Sequence, residues 1–295
     1  MTAASLILVL LSALAHSTWN LLLKRSSDKE VFVWWLLVSG SVLLAPLGGI
    51  LLWQNPIGPT GWWLVLTTIV VHIFYFVLLG RGYTQGDLSL VYPIARGGGT
   101  MLIPVLAVII LGERIEPLAI VGVVAIVLGI YTLSWWGNFR QLINQPLALF
   151  KNPGTRYAIL TGLTISCYSL VDKTGVAHVQ PFLYMYLMTL GTAMGLTPYV
   201  LGKQGVRKGW KAAKLEFKLN YLQIVVAGLL TYLAYGLVLT AFSWSRVSYV
   251  APAREVGIVF GVLMGVFILK EPFGRGRLIG SGVIVLGLAL IALSP

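Results

Sequence analysis

Long apolar stretches recur along the chain and are separated by short polar connections. Ten of these stretches have the length of roughly 20 residues that an α-helix needs to cross the hydrocarbon core of a bilayer. They lie at about 3–23, 31–53, 62–81, 88–111, 117–136, 156–172, 181–201, 219–243, 248–269 and 276–293. The pattern predicts an all-α membrane protein with ten transmembrane helices and connections too short to form a further domain.

Only 10% of the 295 residues are charged, whereas 58% are hydrophobic. A soluble domain carries about 25% charged residues, so the composition excludes a soluble protein and indicates an integral protein of the inner or plasma membrane. The net charge of +12 alone would suggest a nucleic-acid partner. We expect none, because lysine and arginine also accumulate in the cytoplasmic loops of membrane proteins. With Cys167 as the single cysteine, neither an internal disulfide nor a thiolate metal site is expected, and no cofactor is predicted.

The basic residues divide unevenly between alternate connections. Sixteen of the 21 lie in the first, third, fifth, seventh and ninth connections, here called the odd loops, and three lie in the even loops. The positive-inside rule therefore places the odd loops in the cytoplasm and both termini outside. Much of the excess comes from the segment 203–218, which also has the pattern of an amphipathic surface helix.

The two halves of the chain can be superimposed as an internal repeat. Ser17 to Lys24 matches Ser166 to Lys173 at an offset of 149. At an offset of 158 four further matches follow, in which Arg96 pairs with Arg254, Glu113 with Glu271, Gly122 with Gly280 and Gly129 with Gly287. We therefore predict a first repeat over 1–137, a connecting loop over 138–155 and a second repeat over 156–295.

Each predicted repeat contains five spans, so the second copy enters the membrane in the opposite direction to the first. Inverted repeats place the same element once from each side and form a site near the midplane that either half can close. This arrangement is typical of alternating-access carriers. The repeat therefore favours a secondary transporter of a small molecule.

Two segments in corresponding positions resemble a known family. They are Gly86 to Gly97 followed by Leu111 to Arg114, and Ala251 to Arg254 followed by Leu269 to Glu271. With these motifs the whole chain resembles the EamA family of the drug/metabolite transporter superfamily, which includes exporters of amino acids, metabolites and drugs. The resemblance implies a ten-helix bundle whose cavity is lined by the first four helices of each repeat. It also implies cytoplasmic termini, opposite to the loop charges, so both orientations stay open.

Arg96 and Arg254 are the two basic residues that fall inside predicted spans. A charged side chain in hydrocarbon costs at least about 2.5 kcal/mol on insertion scales, so such residues face a partner or a wet cavity. One interpretation is a cationic cradle for a carboxylate or phosphate, with Glu255 moderating the field or titrating. The other is a structural ion pair or a cap for exposed carbonyl groups.

The fourth span carries a polar stripe on one helical face, formed by Ser89, Tyr92, Arg96 and Thr100 at spacings of three or four. Such a face is expected to point inward, towards substrate. Proline removes a backbone donor and glycine allows close approach or unwinding, so a bend is expected in the fourth and ninth spans. The candidate hinge residues are Pro93, Gly97, Gly98, Gly99, Pro252 and Gly257.

Other spans add candidate lining residues. Trp19 and its repeat mate Tyr168 are expected to wall the cavity from opposite sides, together with Asn20 and Tyr235. His16 and His72 also lie inside spans, and an imidazole there could take up a coupling proton near neutral pH. The alternative is that each histidine makes a hydrogen bond across a helix interface.

Three acidic residues at span ends are better explained by architecture than by chemistry. Glu113 and Glu271 are expected to close helix ends and fix loop geometry, and Asp87 has the position of an N-cap. An enzyme would need a clustered metal site, a nucleophilic dyad or paired acids within spans. No such cluster is evident, so we expect no enzymatic activity and no catalytic residue.

Among transporters, two deep arginines favour an anionic or zwitterionic substrate such as an amino acid or organic acid, and the chain is expected to be an exporter. The alternative is a proton-coupled exporter of lipophilic cations or drugs, for which Glu255 would be the acid. A channel is a remote alternative because no ring-forming filter is evident. The expected partners are the substrate, a coupling proton in some of these mechanisms and membrane lipid, with the chain acting as a monomer or homodimer.

Overall fold

A computed structural model describes residues 1–24, 26–86, 88–136, 153–203, 205–269 and 274–294. In these ranges the chain forms twelve helices: α1 (Ala3–Lys24), α2 (Lys29–Leu43), α3 (Ala45–Gln54), α4 (Pro59–Gln85), α5 (Leu88–Leu111), α6 (Pro117–Trp135), α7 (Pro153–Gly175), α8 (Pro181–Gly202), α9 (Val206–Trp244), α10 (Val247–Ala253), α11 (Val256–Leu269) and α12 (Arg275–Leu293).

The helices follow the ten predicted segments, and two segments are divided. The second consists of α2 and α3, which meet at a 58° bend, and the ninth is interrupted between α10 and α11. Seven helical segments are long and apolar enough to cross a membrane, and the bent pair makes an eighth. The prediction of an all-α, multi-span membrane protein is confirmed. For α7 and α8, which carry more polar side chains, crossing the membrane stays a prediction.

Helix ends are defined by residues with the appropriate local chemistry. Proline occupies the first turn of α4, α6 and α8, where its missing N–H leaves no intrahelical bond unmade. The Asp28 carboxylate accepts a hydrogen bond from the backbone N–H of Val31 at 3.2 Å and caps α2. Gly112 ends α5 with φ of +66°, a conformation that residues with a Cβ rarely adopt.

Helix pairs show that the two halves are packed alike. The helix α5 packs against α7, and its repeat mate α11 packs against α1. In the same way, α4 packs against α7 and its mate α9 packs against α1. The helices α6 and α12, the fifth segment of each half, pack against each other. Exchanging the first half for the second therefore reproduces these helix pairs.

Repeat-related glycines form self-complementary contacts between α6 and α12. A Cβ on Gly122 would lie 2.7 Å from the carbonyl oxygen of Gly287, and a Cβ on Gly280 would lie 2.8 Å from that of Gly129. Gly122 pairs with Gly280 in the repeat, and Gly129 with Gly287, so each contact is the other with its halves exchanged. Such an isologous contact is the mark of a two-fold relation. These two helices also run antiparallel, as inverted repeats require.

The same relation holds at atomic detail near the centre of the molecule. The Ser17 hydroxyl reaches the carbonyl oxygen of Gly257 at 2.5 Å, and the Ser166 hydroxyl reaches that of Gly99 at 3.3 Å. Each hydroxyl shares its hydrogen with a carbonyl group of its own helix, at 2.8 Å for Ser17 and 3.0 Å for Ser166. Ser17 matches Ser166 at the offset of 149, and Gly99 matches Gly257 at the offset of 158. The repeat found in the sequence thus places equivalent side chains in equivalent contacts.

Candidate functional site

A cavity of about 470 Å³ lies between the two halves. Its walls come from α1, α4, α5, α8 and α11, and residues of the odd-loop side line its mouth, including Lys24, Lys29, Tyr83, Tyr199 and Arg277. Near the mouth, the hydrogen bond from Lys203 to Glu30, 2.9 Å long, raises the pKa of the lysine. The cavity therefore opens on the side that carries most of the basic loop residues.

Arg96 is paired with Glu255 inside the cavity region. The guanidinium donates from Nη2 to Oε1 at 2.7 Å and from Nε to Oε2 at 3.1 Å, a bidentate arrangement. Glu255 is buried, with 2% of its surface exposed. Fork-to-fork pairing fixes both side chains and neutralises one of the two deep arginines.

Arg254 lines the same cavity and has no carboxylate partner among the described residues. Its Nη2 atom donates to the Tyr168 hydroxyl at 3.3 Å, and its guanidinium carbon lies 5.7 Å from the centre of the Tyr235 ring. Its buried Nε atom has no hydrogen-bond partner among those residues. Arg254 caps the end of α10 at the interruption before α11, so the helix break sets its position.

Aromatic side chains complete the walls. Trp19, Tyr75, Phe76 and Tyr92 line the cavity together with His16. The Trp19 indole donates from Nε1 to Nδ1 of His16 at 3.2 Å, which fixes the orientation of both rings. The cavity is thus an aromatic chamber with guanidinium groups at its base.

The even-loop side of the molecule is held closed by hydrogen bonds. Lys173 at the end of α7 donates to the carbonyl oxygens of Phe242 and Ser245, the second at 2.8 Å. Glu113 accepts from the backbone N–H groups of Val247 at 2.9 Å and Ser248 at 3.1 Å, and so caps α10. These contacts agree with the expectation that Glu113 closes a helix end.

Below the arginines lies a buried acid that the sequence reasoning did not select. The side chain of Asp172 in α7 is fully buried and accepts three hydroxyl hydrogen bonds. Oδ1 accepts from Thr68 at 2.5 Å and from Tyr184 at 2.9 Å, and Oδ2 accepts from Tyr235. These donors come from α4, α8 and α9, so the carboxylate joins four helices of both halves.

His72 is connected to Asp172 through one intervening residue, Thr68. Its Nδ1 atom is 3.0 Å from the Thr68 hydroxyl oxygen and 2.9 Å from the Thr68 carbonyl oxygen. Because the Thr68 hydroxyl gives its hydrogen to Asp172, both Thr68 oxygens act as acceptors towards His72. The proton is therefore assigned to Nδ1, and a chain of hydrogen bonds runs from His72 to Asp172.

The comparison with known families bears on the whole chain. A family model described as the EamA-like transporter family matches residues 3–135 and 152–293. The chain belongs to the EamA-like transporter family. The resemblance found in the sequence is confirmed, and the EamA-like protein is an integral membrane transporter of a small molecule, a non-enzymatic function.

The fold of this EamA-like transporter also recurs among solved structures. A crystal structure, described only as that of a protein, covers 99% of this chain and 99% of its own with a TM-score of 0.70. Its sequence is 15% identical, so the likeness concerns the fold alone. No curated protein matches the chain.

The predicted site residues of the EamA-like transporter fall into two groups. Those that line the cavity are His16, Trp19, Asn20, Tyr92, Arg96, Arg254 and Gly257. Those packed outside its wall are Thr100, Glu255, His72, Tyr168 and Tyr235. Trp19 thus faces the cavity, whereas its mate Tyr168 lies under Arg254.

The remaining predictions concern hinges and helix ends. The helix α5 is unbroken through Pro93 and Gly97 to Gly99, and Gly99 instead allows α7 to approach closely. The interruption in the ninth segment follows Pro252. Ser89 lies in α5, and its side chain, like Asp87 and Glu271, is outside the described part of the chain.

Proposed function

We propose that the protein is an alternating-access secondary transporter that exports a small anionic or zwitterionic metabolite, such as an amino acid or organic acid. The observation that carries the proposal is Arg254, a buried cation that lines the cavity with its Nε unpartnered among the described residues. A buried donor without a partner costs about 1–3 kcal/mol, and more when charged. A substrate carboxylate would remove that cost.

The balance of charge around the cavity supports an anion. Arg96 and Glu255 neutralise each other, and Arg254 is a cation on the cavity wall that contacts no carboxylate among the described residues. A cationic substrate would meet this charge directly, and Glu255 would have to leave Arg96 to receive it. Breaking a buried ion pair costs about 3–5 kcal/mol, which disfavours the drug-exporter alternative.

The size and lining of the cavity suit a metabolite. Small-molecule sites have volumes of about 300–1,000 Å³ and are lined mainly by apolar and aromatic side chains with a few polar anchors. The volume of about 470 Å³ and the walls of Trp19, Tyr75, Phe76 and Tyr92 fit that description. Arg254 would hold the charged end while the rings contact the remainder.

The direction of opening supports export. The cavity is accessible from the odd-loop side, where the positive-inside rule places the cytoplasm. A substrate produced in the cell would enter this state directly. With this orientation both termini would lie outside the cytoplasm.

Alternating access is supported by the two-fold relation of the helices. Lys173 fastens the closed side by binding carbonyl groups at the end of α9, and its repeat mate Lys24 lies at the open mouth. In the opposite state the first half would adopt the arrangement that the second half has here. The two states then differ by an exchange of equivalent contacts.

The first test is the thermal stability of the purified protein with amino acids, organic acids and quaternary ammonium compounds. We expect stabilisation by at least one carboxylate compound, absent in Arg254→Ala and retained in Arg246→Ala, a basic residue outside the cavity wall. Stabilisation by ammonium compounds alone would overturn the anion proposal. Efflux from proteoliposomes, with wild type and Arg254→Ala compared at equal protein content, then measures transport.

A further inference from the structure

The proposed function leaves Asp172 without a role, although it is the most completely buried acid near the site. Its side chain has 0% exposure, compared with 2% for Glu255 and 3% for Glu216. Moving a carboxylate out of water is costly unless the charge is paired or the group takes up a proton. The position of Asp172 therefore calls for a functional explanation.

The ion pairs among the described residues are Arg96–Glu255 and Lys203–Glu30, and Asp172 takes part in neither. Its partners are three hydroxyl groups, from Thr68, Tyr184 and Tyr235. A hydroxyl can donate to a carboxylate and can also accept from a neutral carboxyl group. The same cage can thus hold either protonation state, whereas a lysine or arginine partner would fix the charged one.

Tyr235 connects this acid to the proposed substrate site. Its hydroxyl donates to Asp172, and the face of its ring receives the Arg254 guanidinium at 5.7 Å. Arg96, Arg254, Glu255 and ionised Asp172 together carry no net charge. Binding of an anion at Arg254 would make this buried group negative, and uptake of one proton would restore neutrality.

We propose that Asp172 is the proton-binding site of the carrier and that its protonation is coupled to the binding of an anionic group at Arg254. This inference rests on the proposed function. The anion and the proton bind together and cross together, so an outward gradient of an acidic metabolite would export it with a proton. By reciprocity the proton strengthens anion binding by the same factor as the anion strengthens proton binding.

Other ionisable groups around Asp172 define what else can titrate. His72 faces it from α4 through Thr68, Tyr184 from α8 and Tyr235 from α9, and Arg254 lies beyond the Tyr235 ring. On its own helix, Tyr168 contacts Arg254 and Lys173 is engaged by carbonyl groups. His72, the Thr68 hydroxyl and the carboxylate form one chain of hydrogen bonds.

The test compares Asp172→Asn with Glu216→Gln, which removes a second buried acid that bonds Asn220 and the backbone of Asp28 instead. Asparagine keeps the size of the side chain and mimics the protonated acid. Infrared difference spectra on acidification report the C=O stretch of a protonated carboxyl group. Each of the nine acidic residues contributes to this band when protonated. We expect one component that is present in wild type and in Glu216→Gln and missing in Asp172→Asn.

Coupling is measured by proton uptake in weakly buffered detergent solution when L-glutamate, L-lactate or L-alanine is added. We expect uptake by wild type and none by Asp172→Asn. For wild type the affinity for the responding compound should rise as pH falls, by at most about tenfold per pH unit for one proton. The affinity of Asp172→Asn should be high and independent of pH.

The outcomes separate the two proposals. An unchanged infrared band, or equal proton uptake, in Asp172→Asn would overturn the assignment of Asp172 while leaving anion transport intact. Proton release on adding tetraethylammonium, with no response to the three acids, would overturn both the anion proposal and the coupling. Carboxylate binding that is lost in Arg254→Ala but independent of pH in wild type would overturn the coupling alone.

Discussion

Arg96 and Arg254 occupy equivalent positions in the two halves, yet their surroundings differ. Arg96 lies within the unbroken helix α5 and is held by Glu255 at 2.7 Å. Arg254 lies at the interruption between α10 and α11, where a phenol and an aromatic ring contact it. The repeat mate of Glu255 is Gly97, so the second half has an acid where the first half has no side chain.

Elsewhere the halves have kept the same contacts. Ser17 and Ser166 bind equivalent carbonyl groups, and the glycines of α6 and α12 face one another symmetrically. Two-fold equivalence is therefore kept where helices pack against each other and is lost at the site. We interpret Arg96 as the arginine that stabilises the core and Arg254 as the one that binds substrate.

The largest expected effect is on stability. Arg96→Ala leaves Glu255 buried without a cation, so we expect a loss of about 3–5 kcal/mol in the free energy of unfolding. Arg254→Ala removes one hydrogen bond of a charged donor but also the cost of its unpartnered Nε, so the net loss should be smaller, about 0.5–1.5 kcal/mol. Denaturant titration in detergent micelles measures both values.

A double variant sharpens this prediction. Arg96→Met combined with Glu255→Met replaces the pair by apolar side chains and should recover most of the lost stability, because no charge stays buried. Equal losses for Arg96→Ala and Arg254→Ala would show that the two arginines do not differ in role.

The second prediction concerns the closed side. Lys173→Met removes a charged donor from the carbonyl groups of Phe242 and Ser245, and hydrogen bonds to charged groups contribute about 1.5–3 kcal/mol. Local opening at the junction of α9 and α10 should become about tenfold to a hundredfold more frequent. Hydrogen–deuterium exchange of peptides covering 240–250 measures the change.

Lys208→Met is the matched control for this experiment, since Lys208 is exposed on the amphipathic part of α9. We expect exchange in the same peptides to be unaffected by it. Equal exchange in Lys173→Met and wild type would mean that the lysine does not fasten this side.

The third prediction tests the symmetry of the scaffold. Alanine at Gly122 or at its mate Gly280 would place a Cβ within 2.8 Å of a backbone atom of the facing helix. Overpacking of this kind costs about 1–3 kcal/mol, and the two variants should lose similar amounts. Gly282→Ala, with open space around the new Cβ, should change the unfolding free energy little. Strongly unequal losses at the two mates would argue against equivalent packing.

The smallest effects are expected at the serine pair. Ser17→Ala and Ser166→Ala each remove a hydroxyl whose hydrogen is shared between its own helix and the facing helix. One such hydrogen bond contributes about 0.5–1.5 kcal/mol. The loss should be larger for Ser17, whose bond is 2.5 Å long, than for Ser166 at 3.3 Å. Thr18→Ala, which removes a bond within α1, serves as the control in thermal unfolding. A greater effect at Thr18 would contradict the role of the serines in joining the halves.

Much of the fold could be predicted because its signals are local or repeated. Apolar runs gave the helix positions, and two copies of the same motif gave the inverted repeat. The 58° bend between α2 and α3 was not predicted, because no rule of spacing specifies where packing divides a helix. The pairing of Arg96 with Glu255, 159 residues apart, was likewise one of two open alternatives until the helices were placed.

Asp172 shows why part of the site escaped prediction. The sixth apolar stretch ends at residue 172, which would place the acid at an exposed helix end. In the structure α7 continues to Gly175, and Val176 and Val179 of the following turn are buried with 8% and 5% exposure. Tertiary packing thus covers a residue that hydropathy assigns to the surface. Asp172 follows Tyr168 by four residues and so lies on the same face of the helix, which is the sequence feature that points to a place near the site.

The volume of the chamber has a consequence for the hydration of the transport cycle. A space of about 470 Å³ that is open at its mouth is filled with water. Closing the mouth without a substrate would remove these waters from Arg254, and no other group would replace their hydrogen bonds. A carboxylate cargo replaces them as it enters. The cost of dehydrating Arg254 therefore disfavours closure of the empty transporter.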